Sequence, residues 1–143
     1  MRSGIYFFKS KVHFRFSKKT AITQWIRSTI RKAHKKPGSI NFIFCSDHFL
    51  LEMNKRYLKH NYYTDIITFD YSEKNILNGE VYISIDRVKE NAGLIEVSFQ
   101  NELCRVVIHG VLHLLGFSDK TSSQKKQIRR KEDACLSLLF SST

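Results

Sequence analysis

Two imidazoles four residues apart, then a glycine, then a carboxylate stand in the run Ile108-His109-Gly110-Val111-Leu112-His113-Leu114-Leu115-Gly116-Phe117-Ser118-Asp119. On an α-helix, positions i and i+4 share a face, about 5–6 Å apart. His109 and His113 are therefore placed to bind one metal ion. Gly116 suits the left-handed conformation that ends a helix, and the chain beyond it can turn Asp119 back toward the two histidines. Two nitrogens and one oxygen suit zinc, and a three-ligand site keeps a position open for water, as catalytic zinc sites do. By position Asp119 is the best third ligand; Ser118, His60, Asp65 and Glu80 are alternatives. A two-histidine, one-carboxylate set also suits iron and other divalent ions.

Zinc peptidases of the His-Glu-x-x-His type use the glutamate after the first histidine as general base. Gly110 stands at that position here and offers no base. Glu102, seven residues before His109, shares its helix face; it reads equally as a first-turn acid favoured by the helix dipole. Thr64 and Asp65 either cap a strand or line a cleft beside the metal. Tyr62 and Tyr63 are of a type that stacks on unpaired bases. Lys120, Lys125, Lys126, Arg129, Arg130 and Lys131 form a basic stretch that no acid interrupts before Glu132. Its closeness to the histidine run makes it a candidate for phosphate contact. The cluster Arg31, Lys32, Lys35 and Lys36 lies far from any chemistry in sequence and reads as solvated surface at a helix C-terminus.

The elements that must position these residues follow from periodicity. Val12, Phe14 and Phe16 alternate after the apolar run Ile5–Phe8, so both segments read as strand. Thr20 is expected to cap a helix with the stripe Ile22, Trp25, Ile26 and Ile30, ended by Pro37-Gly38. Ile40, Phe42 and Phe44 alternate in a second strand, and Ser46-Asp47 caps a helix carrying Leu50, Met53, Asn54 and Tyr57. Thr64 to Tyr71 is a third strand and Val81, Ile83 and Ile85 mark a fourth, with Asn78-Gly79 read as a turn between them. That short connection makes the pair antiparallel. Three helices follow: Asp86 to about Gly93, one capped by Ser98 that runs to Leu115, and one capped by Thr121 or Ser122 through about Phe140. The expectation is one α+β domain over 1–143, with a four-stranded mixed sheet packed against helices and the zinc site at the end of a helix in the C-terminal half.

Composition narrows the function. The chain has 143 residues, 24 Lys+Arg against 13 Asp+Glu, and a net charge of +11. Such a balance favours a polyanionic partner, above all nucleic acid. Cys45, Cys104 and Cys135 are odd in number and widely spaced, which points to core residues in a reducing compartment and not to a disulfide framework. No apolar run approaches the ~20 residues that span a bilayer, and none reads as a signal peptide. A cytoplasmic protein is expected.

Four segments carry a family resemblance. His109-Gly110-Val111-Leu112-His113-Leu114-Leu115-Gly116-Phe117 is similar to the His-Gly-x-Leu-His-Leu-x-Gly-Tyr signature of the YbeY family, bacterial metal-dependent endoribonucleases of ribosomal RNA maturation. Thr64-Asp65-Ile66-Ile67-Thr68-Phe69, Gly79-Glu80-Val81-Tyr82-Ile83-Ser84 and Met53-Asn54-Lys55-Arg56-Tyr57 resemble further segments of that family, in the same order and spacing. The resemblance implies an α+β fold and one zinc ion per chain held by His109, His113 and Asp119. It further implies cleavage of single-stranded RNA, with small-subunit rRNA and the ribosome as partners, in 3′-end processing and quality control. Two positions depart from the pattern. Most of the family has a histidine where Asp119 stands; the added negative charge should make bound water less acidic. The family's arginine after the segment's tyrosine is Leu58 here, which leaves phosphate contact to Arg56, Lys59, Lys125, Lys126, Arg129 and Arg130. A non-catalytic RNA-binding assembly factor with a structural metal is the alternative.

Overall fold

A computed structural model describes residues 4–140 and orders them as β1 (Gly4–Lys9), α1 (Lys19–Lys32), β2 (Lys36–Cys45), α2 (Asp47–Leu58), β3 (Ile66–Asp70), β4 (Ile76–Ser84), α3 (Ile85–Leu94), α4 (Phe99–Leu114) and α5 (Ser122–Phe140). Residues 1–3 and 141–143, the two ends of the expected 1–143 domain, lie outside the described residues. The four strands form one mixed sheet in the order β1-β2-β4-β3. β1 and β4 run parallel to β2, and β3 runs antiparallel to β4.

Alternation along the strands separates two apolar layers. Ile40, Phe42, Phe44, Val81 and Ile83 face α1 and α4 and are fully buried with Ile26, Ile30, Val107 and Ile108. Ile67, Phe69 and Tyr82 point the other way, where Leu50 and Met53 of α2 cover them. The α+β fold with a four-stranded mixed sheet is thus as expected. Trp25 donates its indole N–H to the Cys135 carbonyl at 2.8 Å and ties α1 to α5. All three cysteines are buried and unpaired. Among the described residues no helix is long and apolar enough to cross a membrane.

Several boundaries differ from the sequence reading. Val12–Phe16 is not a strand: Phe14 and Phe16 pack on Phe44 at 5.1 and 5.3 Å between ring centroids, so their burial comes from ring contacts without a ladder. Thr20 does not cap α1; Lys18, in the left-handed conformation, stands at the cap position without a side-chain bond. Pro37-Gly38 lies inside β2, where the register shifts before Ile40. There Asn78 Oδ1 accepts from the Ser39 N–H at 2.8 Å and supplies a partner that the interrupted ladder lacks. Asn78-Gly79 is likewise inside β4, and the hairpin turns at Glu73-Lys74-Asn75 instead. Glycine is needed at 79 for close approach: a Cβ would meet the Phe69 carbonyl oxygen at 2.7 Å and a Leu114 methyl at 2.8 Å.

Candidate metal centre

The site is built at the C-terminal end of α4. Ser98 starts this helix by accepting from the Asn101 N–H, and apolar residues bury most of its length against the sheet. Gly116 ends it at φ 102°, with its N–H on the His113 carbonyl and that of Phe117 on Leu112. This glycine-stopped end turns the following residues back over the last helical turns. His113 Nε2 lies 2.9 Å from His109 Nε2, and Asp119 Oδ2 lies 3.3 Å from each. Ligand atoms about 2.0–2.1 Å from a tetrahedral zinc stand about 3.3 Å apart, so the donor types and their separations fit one divalent ion. The three side chains are half-buried, and their ligand atoms all lie within 4.8 Å of one another.

Gly110 explains the missing glutamate of the peptidase pattern. Its Cα faces the sheet, where a Cβ would meet Val81 Cγ1 at 2.8 Å and Ile66 Cδ1 at 3.2 Å. A side chain there would have to displace Val81 and Ile66, so a base must come from another position, and Glu102 on the same helix is one that reaches the cavity.

Beside His109 lies a cavity of about 280 Å³ whose wall includes Asp65, Glu102, His109, Asp119 and Arg129. Burial pushes the Asp65 carboxyl up, against the pull of the His109 charge. Burial also raises Glu102, which Arg105 only partly offsets: Glu102 Oε1 and Arg105 Nε are 3.9 Å apart and neither has a hydrogen-bond partner. His109 Nδ1 lies 2.5 Å from Glu132 Oε2. Arg105 donates from Nη1 to Glu132 Oε1 at 3.0 Å and from Nη2 to Asp133 Oδ1 at 2.8 Å. Burial disfavours the charged His109 ring, yet Glu132 overrides it and raises the pKa; burial would raise Glu132, yet His109 and Arg105 hold it low. The sequence reading missed Arg105 and Glu132. The available signals were Arg105 four residues before His109 on the same helix face, and the pair Glu132-Asp133 in an otherwise basic helix.

Of the alternative third ligands, Ser118 lines a separate surface groove with Gly116, Phe117 and Gln124, and His60 and Glu80 are engaged by other side chains. His60 Nδ1 is 2.9 Å from the Tyr62 hydroxyl and stacks on that ring, while Glu80 accepts from the Tyr71 hydroxyl. Asp65 shares the cavity wall but is outside the three-residue group. Of the basic candidates, Arg129 reaches the cavity wall, and Lys125, Lys126 and Arg130 are exposed on the same helix. Arg56 borders a separate groove of about 320 Å³ with Phe49, Tyr57 and Tyr82 on the α2 side of the sheet, and Lys59 is the exposed C-cap of α2. Tyr63 has its ring 5.0 Å from the Arg87 guanidinium, which Asp47 holds.

An α+β fold with a mixed sheet carries, at the end of one helix, two histidines and a carboxylate that could hold a metal ion. The chain belongs to the YbeY family: the model described as Endoribonuclease YbeY matches residues 7–139. A protein of Cytophaga hutchinsonii named Endoribonuclease YbeY is 47% identical over 135 residues, 94% of this chain and 94% of that one. One of the same name from Flavobacterium psychrophilum is 45% identical over 131 residues, 92% of this chain and 94% of its own. A solution structure of a Thermotoga maritima protein superposes with a TM-score of 0.67 over 96% of this chain and 89% of that one, at 23% identity, and shares the fold.

Proposed function

We propose that this chain is a zinc-dependent endoribonuclease acting on single-stranded RNA, with 1–143 as one catalytic domain. The observation that carries the proposal is the convergence of His109, His113 and Asp119 at the spacing of metal ligands, in a chain of the endoribonuclease family. A divalent ion bound there supplies a Lewis acid that polarises a phosphoryl oxygen and acidifies water. Arg129 at the cavity wall, with Lys125, Lys126 and Arg130 on the same helix, holds the RNA backbone beside the site; Arg56 and Lys59 extend the contact along α2. The substrate is the 3′ end of 16S rRNA and the setting is small-subunit maturation and ribosome quality control in the cytoplasm, a role in keeping with the net charge of +11.

The test is a titration of zinc into the purified chain, followed by cleavage of end-labelled single-stranded and duplex RNA of the same sequence. One zinc per chain and cleavage confined to the single strand support the proposal. Leu58 and Gly110 favour the second reading, an RNA-binding assembly factor with a structural metal. Stoichiometric zinc with tight RNA binding and no cleavage would select it.

A further inference from the structure

Glu132 is 4% exposed, and both of its carboxylate oxygens are engaged. Oε1 accepts from Arg105 Nη1 at 3.0 Å, and Arg105 is held in turn by Asp133. A guanidinium has donors only, and an ionised carboxylate has acceptors only. Oε2, 2.5 Å from His109 Nδ1, therefore requires the proton of a neutral His109 ring to sit on Nδ1. That leaves the lone pair on Nε2, the atom 2.9 Å from His113 Nε2 and 3.3 Å from Asp119 Oδ2. Which ring nitrogen of a histidine can take a metal is set by the bond the other nitrogen makes.

We propose that Glu132 is a positioning residue that locks His109 as the Nδ1–H tautomer, with its Nε2 lone pair aimed at the group formed with His113 and Asp119, and that Arg105 fixes Glu132 for this task. The proposal rests on the metal reading above for its consequence, while the tautomer itself is a property of the metal-free chain.

A merely structural role, tying α5 to α4, makes a different prediction. Glutamine keeps the shape of Glu132 and alanine does not, so a structural role would make alanine the more damaging replacement. The tautomer lock reverses that order. In Glu132→Gln the one amide oxygen goes to the charged Arg105, and the amide N–H₂ then faces His109 Nδ1. Two donors cannot meet, so the ring proton moves to Nε2 and occupies the lone pair a metal needs. Carboxylate-to-amide replacement beside a histidine produces a wrong tautomer in the same way in serine proteases. Glu132→Ala leaves Nδ1 to water and the tautomer unforced.

The experiment pairs two readouts on the wild-type chain, Glu132→Gln and Glu132→Ala. Long-range ¹⁵N–¹H correlation spectra of the metal-free proteins, taken at alkaline pH where the ring is neutral, report the His109 tautomer. Competition against a fluorescent chelator reports zinc affinity. The expected result is Nδ1–H in the wild type and Nε2–H in Glu132→Gln, with zinc affinity lowered about 10–100-fold in Glu132→Gln and by less in Glu132→Ala. An unchanged tautomer in Glu132→Gln, or a larger loss of zinc affinity in Glu132→Ala than in Glu132→Gln, overturns the proposal. Should the alanine variant fail to fold, the isosteric glutamine variant decides alone: the same His109 tautomer as wild type, or zinc affinity within twofold of it, overturns the proposal. A wild type that holds the Nδ1–H tautomer and switches it in Glu132→Gln, yet binds no zinc, upholds the lock and overturns the metal reading only.

Discussion

Asp119 meets both histidines because Gly116 turns the chain back over the end of α4, which sets its Oδ2 3.3 Å from each Nε2. The spacing of His109 and His113 is a local fact of helix geometry, and Gly116 is a local stop, so the return of the chain toward the histidines is legible in the order of residues alone. Glu132 is not, because it lies 23 residues beyond His109 and reaches it only through the packing of α5 on α4. The cysteines make the opposite contrast. Their odd number and wide spacing point away from a disulfide framework, and burial then makes them inert: it pushes the Cys45 and Cys104 thiols up to about 12 and raises Cys135 as well. Reactivity follows the thiolate. A disulfide reagent at neutral pH is therefore expected to leave the native chain almost unlabelled and to titrate all three thiols at once in denaturant. Rapid labelling of a native cysteine would contradict their placement in the core.

At the scale of elements, α4 carries the site because it lies flat on the sheet, and Gly110 is what lets it lie there. Gly110→Ala forces a methyl against Val81 Cγ1 and Ile66 Cδ1. The expected loss is about 1–3 kcal/mol, as for overpacked cores, read as a lower urea midpoint; an unchanged or higher midpoint would show that α4 can shift away without cost. The other end of the helix holds a buried acid. Burial raises the Glu102 carboxyl from its ordinary value, so between its ordinary and its folded pKa the folded chain holds a proton that the unfolded chain has lost. Stability therefore falls as pH rises through that window. Metal-free Glu102→Gln lacks the titration, and its stability relative to wild type is expected to grow from acid to neutral pH in urea melts. A difference that stays constant with pH would place Glu102 in water. Boundaries are where the sequence reading is weakest, for a physical reason. Pro37-Gly38 and Asn78-Gly79 carry turn chemistry locally, but sit next to each other across β2 and β4, where Asn78 repairs a bulge and Gly79 makes room for Leu114. Pairing between strands overrides local preference there.

For the molecule as a whole, charge and site have to act together. Exposed Lys125, Lys126 and Arg130 and the cavity-wall Arg129 lie on one helix. Each phosphate contact to single-stranded RNA contributes about 0.7 to the slope of log affinity against log salt. Replacing all four with serine is expected to lower that slope by up to about 3 and to weaken binding similarly for unrelated sequences; an unchanged slope would move the RNA to another face. The central claim joins this surface to the metal group, and the most direct test is cleavage of a single-stranded RNA by zinc-loaded chain beside His113→Ala purified identically. Cleavage by the wild type, abolished in the variant while RNA binding persists, is the predicted result. Equal cleavage by both proteins, or tight RNA binding without cleavage by either, would contradict it.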